Sequence, residues 1–215
     1  MKKYTIIIFL ITALPFFGQK ESDFPSGLGI EIGAGSNELL WGLRDNEGDR
    51  SVFNLSLSSR IYYKIPLSNS LNLKPFFGYI RFGGLGEEQD NGYVDEYYFD
   101  AFEFGGLVIL EEKALPINFS LGLKVKKYFE ATGRFYGDIF DPVNSQRTWV
   151  KEDVSSFFEK YSFNIGAGVG TSFSNIYITM EYWVGLNEFK NNDLFKDSEP
   201  KIKENHYRLF VGYQL

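Results

Sequence analysis

Seven charged residues stand at alternate positions of segments that are otherwise rich in apolar and small residues. They are Glu31, Arg60, Glu103, Lys124, Lys126, Glu181 and Arg208. Buried carboxylates and cations must pair, because an isolated buried charge strongly destabilises a fold. We therefore predict that the three glutamates pair with the two arginines and two lysines in an interior network.

The other residue types with catalytic or ligand chemistry lack the spacing that the chemistry needs. The only histidine, His206, would need a partnering Ser, Asp or Glu to act as a hydrolytic base. We can match no such constellation. We expect His206 to be exposed to solvent at the start of the last predicted strand, near the outer rim of the fold that the strands form. Glycine fragments at 27–29 and 166–170 lie within apparent strands with no helix behind them, so they do not match a dinucleotide-binding fingerprint.

One acidic segment has the oxygen ligands that a hard cation prefers, but not the spacing of an EF-hand loop. Its residues are Glu87, Glu88, Asp90, Asp95, Glu96 and Asp100. A solvated acidic face is the favoured interpretation. The sequence thus predicts no catalytic residue, no metal site and no cofactor.

Composition limits the possible partners. The 215 residues suffice for one domain, and 22 Lys and Arg against 28 Asp and Glu give a net charge of -6. Such a chain has no basic field to attract nucleic acid. It has no cysteine, which excludes disulfides and thiolate chemistry.

The N-terminus has the layout of a secretory signal peptide. Lys2 and Lys3 precede an apolar run over 4–14, and Pro15 follows before Gly18. This run is too short to span a bilayer as a helix. We predict a signal peptide over 1–18, a short periplasmic segment over 19–25 and a β-barrel over 26–215.

The rest of the chain alternates bulky apolar residues with polar or small ones, most regularly over 176–186. A period of two is typical of strands with two different faces. The pattern predicts eight strands, at 26–37, 51–65, 71–82, 97–110, 118–131, 154–173, 176–186 and 205–215. Pro75 suggests a bulge or an edge near the start of the third strand, whose facing stays open.

The connections between these strands alternate in length. Long polar connections are expected at 38–50, 83–96, 132–153 and 188–204. Short ones are expected at 66–70, 111–117 and 174–175. In an antiparallel meander, all long loops then lie at one end, and the short turns lie at the other end with both termini.

The composition of the polar face indicates which side is inside. It holds small residues such as Gly166, Gly168 and Ser162, which suit a narrow interior, whereas a soluble barrel would present dense charge to water. If charged residues such as Arg60, Lys124 and Arg208 faced lipid, each Arg or Lys near the midplane would cost about 2 to 4 kcal/mol. We expect the apolar face outside and the charges inside.

Aromatic residues gather near the strand ends and are expected to form interfacial girdles. They are Trp41, Tyr62, Tyr63, Phe76, Phe77, Tyr97, Tyr98, Phe99, Phe157, Phe158, Trp183, Tyr207 and Tyr213.

These features together resemble the eight-stranded outer-membrane β-barrel family of Gram-negative bacteria, which includes the OmpA membrane domain and OmpX-like proteins. The resemblance rests on the signal peptide, the strand at 176–186, the glycine-rich 163–168 and the C-terminal 207–215. It implies an all-β antiparallel up-and-down transmembrane barrel in the outer membrane, in contact with its lipid and lipopolysaccharide. It also implies recognition by the barrel-assembly machinery, although Leu215 stands where the family usually has a terminal aromatic residue.

Several functions are compatible with such a barrel. A monomeric, non-enzymatic protein with a structural or surface-interaction role and a side-chain-filled interior is the first hypothesis, because eight strands leave room for side chains or one small ligand. A narrow porin-like channel, a lipid-modifying enzyme and a soluble periplasmic barrel are the alternatives. The partner of the extracellular loops stays open.

Overall fold

The computed structural model describes residues 27–42, 50–85, 94–111, 117–138, 147–188 and 201–215. Their strands are β1 (Gly27–Gly42), β2 (Arg50–Pro66), β3 (Leu71–Leu85), β4 (Val94–Glu111), β5 (Asn118–Asp138), β6 (Arg147–Asp153), β7 (Tyr161–Phe173), β8 (Ile176–Gly185) and β9 (Lys201–Gln214). The predicted signal peptide and the 19–25 segment lie outside the described residues, as do Glu87, Glu88 and Asp90 of the acidic segment.

The strands form a closed antiparallel barrel. Each of β1 to β5 pairs with the next strand, β5 pairs with β7, and the chain continues through β8 to β9. β9 then pairs with β1, from Gly29–Gln214 to Gly42–Lys201, and closes the ring. The predicted eight-stranded antiparallel barrel is therefore confirmed, with β6 as an additional strand.

The strands extend beyond the predicted bounds. β1 continues to Gly42 and β9 begins at Lys201, so parts of the expected long loops are paired strand. Short connections lie where they were predicted, including the two-residue turn between Phe173 and Ile176. Ser174 in this turn has a φ of 55°, which permits a tight hairpin but is uncommon for a residue other than glycine.

The prediction of one continuous strand over 154–173 is wrong. β6 instead pairs with the extension of β5, and a 3-10 turn at Ser155–Phe157 separates it from β7. The backbone N–H of Ser155 donates to Oδ1 of Asp153 at 2.9 Å, and hydrogen bonds from Ser155 hold the pKa of that carboxyl below its usual value. Ser155 also ties the turn to β5, because its Oγ accepts from the backbone N–H of Ala131.

Side chains alternate between the two faces of the wall as the sequence predicts. Apolar residues point outward, as shown by Leu121 and Ile32, which are 68% and 70% exposed. Small and charged residues point inward. The third strand follows the same rule, with Lys74 and Phe76 buried and Pro75 exposed.

Pro75 lies at a break in the β2–β3 ladder rather than at an edge. The ladder has the pairs Tyr62–Phe76 and Ile65–Leu73, but none between them. Proline has no backbone N–H, so Pro75 could not have donated a hydrogen bond to β2 at this position. The interruption therefore costs the ladder no donor. On the other side, β3 pairs with β4 without a break across Pro75.

The described residues form two apolar clusters in the interior. One surrounds Phe82 and Phe99, and the other contains Tyr62, Phe76 and Trp183. Several aromatics expected in the outer girdles therefore lie inside: Tyr62, Phe76, Phe99, Phe158 and Trp183. Tyr63, Phe77, Phe157, Tyr207 and Tyr213 are exposed, whereas the side chain of Trp41 is outside the described set. No helix among the described residues has the length and apolar composition needed to cross a bilayer.

Candidate functional site in the barrel interior

The charged residues between the two apolar clusters are centred on Glu103 of β4. Its Oε1 accepts from Nε of Arg60 at 2.6 Å, and its Oε2 accepts from Nη1 of Arg208 at 2.8 Å and from Nζ of Lys124 at 3.1 Å. All four side chains are fully buried. One carboxylate thus joins cations from three other strands.

Arg60 connects this centre to two further carboxylates. Its Nη1 donates to Oε1 and Oε2 of Glu181 at 3.0 and 2.8 Å, and lies 3.9 Å from Oε2 of Glu31. Trp183 supports Glu181 by donating from Nε1 to Oε2 at 2.7 Å. Because charged hydrogen bonds are strong where water is excluded, this arrangement fixes the position of the Arg60 guanidinium.

Aromatic rings enclose the same guanidinium. Cζ of Arg60 lies 4.2 Å from the ring centroid of Phe76 and 4.0 Å from that of Phe210. The ring of Trp183 lies 5.9 Å away and also contacts Lys124, whose Nζ is 4.3 Å from its centroid. Cation–π contacts therefore add to the ion pairs.

Two buried interior charges among the described residues are absent from the predicted network. Lys74 of β3 pairs with Glu31, and Glu204 of β9 lies 2.5 Å from Nζ of Lys126. Lys74 was missed because Pro75 obscured the facing of its strand, and Glu204 because it was assigned to a loop. The two-residue period of a strand could have identified both. Lys74 is two residues from Phe76, and Glu204 is four residues from Arg208, so each shares the inward face of its strand.

Glu204 organises a second polar cluster. Its Oε2 accepts from the hydroxyl of Tyr128 at 2.7 Å, and its Oε1 accepts from Ser162 and, at 3.2 Å, from Nδ2 of Asn164. His206 joins the cluster, with Nε2 3.1 Å from Oε2 of Glu204 and 2.5 Å from Nζ of Lys126.

The expectation of a solvated rim histidine is wrong. His206 has no exposed surface, and the ring of Phe82 packs edge-on against it at 5.1 Å. His206 is buried because every second residue of β9 points inward, so that it shares the inner face with Arg208 and Phe210. Because β9 begins at Lys201 rather than at the predicted position 205, His206 lies within the barrel and not at its rim.

The structure thus places all seven predicted charges inside the barrel. It brings Arg60, Lys124 and Arg208 to Glu103, and Arg60 also to Glu181 and Glu31. Lys126 differs, because its carboxylate partner is Glu204. Lys74 is the closest partner of Glu31.

Small residues on facing strands make room for these large side chains. Gly166 of β7 pairs with Trp183 of β8, and a Cβ at Gly166 would lie 2.3 to 2.4 Å from atoms of the indole ring. The glycine-rich face of β7 is therefore a packing requirement of Trp183, which has no exposed surface.

The second cluster contains the residue types of a hydrolase but not the required contacts. A catalytic serine needs its hydroxyl beside a histidine that serves as its base. Ser162 instead donates to Glu204, and His206 contacts Lys126. The described residues also include no group of His, Asp and Glu side chains suited to a metal ion. What the interior provides chemically is a network of fixed charges and hydrogen-bond donors.

No protein-family model matches the chain, and no curated protein sequence matches it. Several solved structures resemble it. Neisserial surface protein A has 13% identity and a TM-score of 0.47 over 88% of this chain and 98% of its own. Ail, the attachment invasion locus protein of Yersinia pestis, has 13% identity and a TM-score of 0.48 over 89% of this chain and 100% of its own.

A third similar structure is the N-terminal β-barrel domain of Pseudomonas aeruginosa OprF, with 11% identity and a TM-score of 0.39 over 89% of this chain and 100% of that domain.

Proposed function

We propose that the protein is an integral outer-membrane β-barrel with a structural or surface-interaction role. The supporting observation is the outer surface, which is apolar on all eight barrel strands. Among its most exposed side chains are Ile32, Leu55, Phe104, Leu121, Phe163, Met180 and Leu209. Monomeric soluble proteins rarely expose contiguous apolar patches larger than a few hundred Å², so this surface favours contact with lipid.

The interior supports the same orientation. Its fully buried charges are paired in the barrel, whereas the outward positions of the same strands are mostly Leu, Ile, Phe and Tyr. A closed barrel is also one of the two backbone arrangements whose polar groups are satisfied inside a bilayer. Strands of 13 to 17 residues such as β7 and β2 exceed the 9 to 11 or so that a tilted crossing needs.

A role without transport or catalysis fits the filled interior. Arg60, Trp183, Phe76 and Phe210 meet across the lumen, which leaves the longer loops as the surface for external partners. We propose a monomer that contacts outer-membrane lipid and lipopolysaccharide and is inserted by the barrel-assembly machinery. Residues 43–49, 86–93, 139–146 and 189–200, which the sequence assigns wholly or mostly to long connections, lie outside the described residues.

Membrane integration is tested by fractionation and gel mobility. We expect the mature chain to stay with the membrane pellet after carbonate washing, and to change its migration only after boiling, because a folded barrel keeps its compact shape in mild detergent. A soluble periplasmic protein run in parallel is the control and should be released. Release of this chain by carbonate, or identical migration before and after heating, would overturn the proposal.

Two measurements address the alternative functions. Single-channel recording in planar bilayers should show no stable conductance, because the Arg60 network fills the lumen; regular conductance steps would favour a channel. Lipid A analysed by mass spectrometry should be the same with and without the protein. A changed acylation pattern would favour an enzyme.

A further inference from the structure

The buried charges of the barrel interior do not balance. Among the described residues, its buried cations are Arg60, Lys74, Lys124, Lys126 and Arg208, and its buried carboxylates are Glu31, Glu103, Glu181 and Glu204. Asp100 is also buried but lies on the outer side beside Tyr79 and Arg81. With His206 neutral, the described interior therefore has one more cation than carboxylate, and uncompensated buried charge is costly.

The excess lies at the Glu103 centre, where Arg208 and Lys124 each contact no other carboxylate among the described residues. Arg60 reaches three carboxylates, whereas the only carboxylate that Arg208 contacts among the described residues is Glu103, which Arg60 and Lys124 share. Nε and Nη2 of Arg208 have no hydrogen-bond partner in the described part of the chain. These two atoms form the edge of a guanidinium that binds anions with two parallel N–H groups.

Unpaired polar groups lie on β1 and β2, the two strands next to Arg208 on one side. Gly35 of β1 pairs with Ser56 of β2 and with Arg208 of β9, and glycine has no side chain to separate them. Asn37, the next inward residue of β1, pairs with His206. The Ser56 hydroxyl, both amide atoms of Asn37 and Nδ1 of His206 are buried without partners among the described residues.

These groups supply donors. Asn37 can donate through Nδ2, and Ser56 through its hydroxyl. Water would satisfy the hydrogen bonds and a neutral Lys124 would remove the surplus charge, whereas a single anion does both.

We propose that the barrel interior binds one small monovalent anion, such as chloride, between Arg208, Asn37 and Ser56. The anion completes the neutralisation of the Glu103 centre and stabilises the fold as a ligand bound only by the folded state. The interior is the same whether the outer surface faces lipid or water, so the site does not depend on the proposed membrane location.

The test refolds the mature protein from urea into detergent at one ionic strength, with bromide, chloride or gluconate as the anion. Gluconate is too large for the narrow interior, and refolding gives the halide access to a buried site. We expect a melting temperature about 5 °C higher in halide at about 100 times the dissociation constant. Equal melting temperatures in all three salts would overturn the proposal.

Two variants separate this site from a general salt effect. Asn37→Asp is isosteric and supplies an internal negative charge, so its melting temperature should no longer depend on halide. Asn175→Asp adds the same charge in the exposed β7–β8 turn, and should keep the wild-type shift. A wild-type shift in Asn37→Asp would contradict the assignment.

Anomalous diffraction from crystals of bromide-refolded wild-type protein gives the position directly, and decides the matter if Asn37→Asp does not fold. We expect a bromide peak beside Nε and Nη2 of Arg208. Absence of bromide at this position would overturn the site.

Discussion

The charged side chains of the interior act as one cooperative unit. Glu103 accepts from three cations, and Arg60 extends the network to Glu181 and Glu31. Removing a single partner leaves a buried charge less compensated, and this costs more than the pair itself contributes. Substitutions in this network should therefore affect stability far more than substitutions at the surface.

Glu181→Gln tests this at the level of one residue. The change preserves size but removes a carboxylate that accepts from Arg60 and Trp183. We expect the free energy of unfolding in detergent to fall by roughly 2 kcal/mol or more, with a lower melting temperature. The exposed Glu152 gives a matched control, because Glu152→Gln should melt like the wild type. An unchanged melting temperature for Glu181→Gln would contradict the network.

At this scale the sequence predicts which residues face inward better than which ones pair. Alternation alone selects Glu103 and Arg208 as interior residues. Pairing also depends on strand register and on side-chain reach across the lumen, as the contact of Lys126 with Glu204 shows. Lys74 was not predicted as an interior residue because the neighbouring Pro75 interrupts the alternating pattern.

On the inner face of the barrel, small residues on one strand lie beside large residues on the neighbouring strand. The β7–β8 ladder sets Gly166 against Trp183, and the indole in turn packs near Phe76, with 6.3 Å between ring centroids. Tightly packed interiors accommodate added atoms poorly, because neighbouring side chains must leave their preferred rotamers.

Gly166→Ala is accordingly expected to destabilise the barrel by about 1 to 3 kcal/mol, measured by urea unfolding. Gly106→Ala is the control, because a Cβ there would meet its nearest atoms only at 4.0 Å. Replacing Trp183 by Leu in the Gly166→Ala background should recover part of the loss relative to the two single variants added together. Equal stability of Gly166→Ala and Gly106→Ala would argue against this packing.

The number and pairing of the barrel strands are predictable from the sequence, whereas their outer ends are not. Alternation is regular where one face is apolar, as in β7 and β8. It fades between Ala131 of β5 and Tyr161, where apolar residues such as Val154 no longer alternate regularly with polar ones. The added β6 and the 3-10 turn at Ser155–Phe157 lie in that region, and local hydrogen bonds to Asp153 and Ala131 specify them.

For the molecule as a whole, we predict that the outer surface tolerates apolar substitutions and is destabilised by charged ones. Leu209 of β9 is half exposed, with Met180 of β8 and Ala34 of β1 as its cross-strand neighbours. Leu209→Arg should lower the unfolding free energy in bilayers by about 2 to 4 kcal/mol if this position lies near the midplane. Leu209→Met, which keeps size and polarity, should have little effect. A neutral or stabilising Leu209→Arg would indicate that water covers this face.

We propose that the apolar outer face lies against lipid. The most direct test measures how readily spin labels on this face collide with reagents dissolved in lipid or in water. The chain has no cysteine, so single Leu121→Cys, Ile165→Cys and Asn175→Cys variants each take one label in protein reconstituted into vesicles. We predict that labels at 121 and 165 collide readily with oxygen, which dissolves in lipid, and rarely with a water-soluble nickel chelate. The label at 175, in the exposed turn, should collide with the chelate. Free access of the chelate to labels at 121 and 165 would contradict the account.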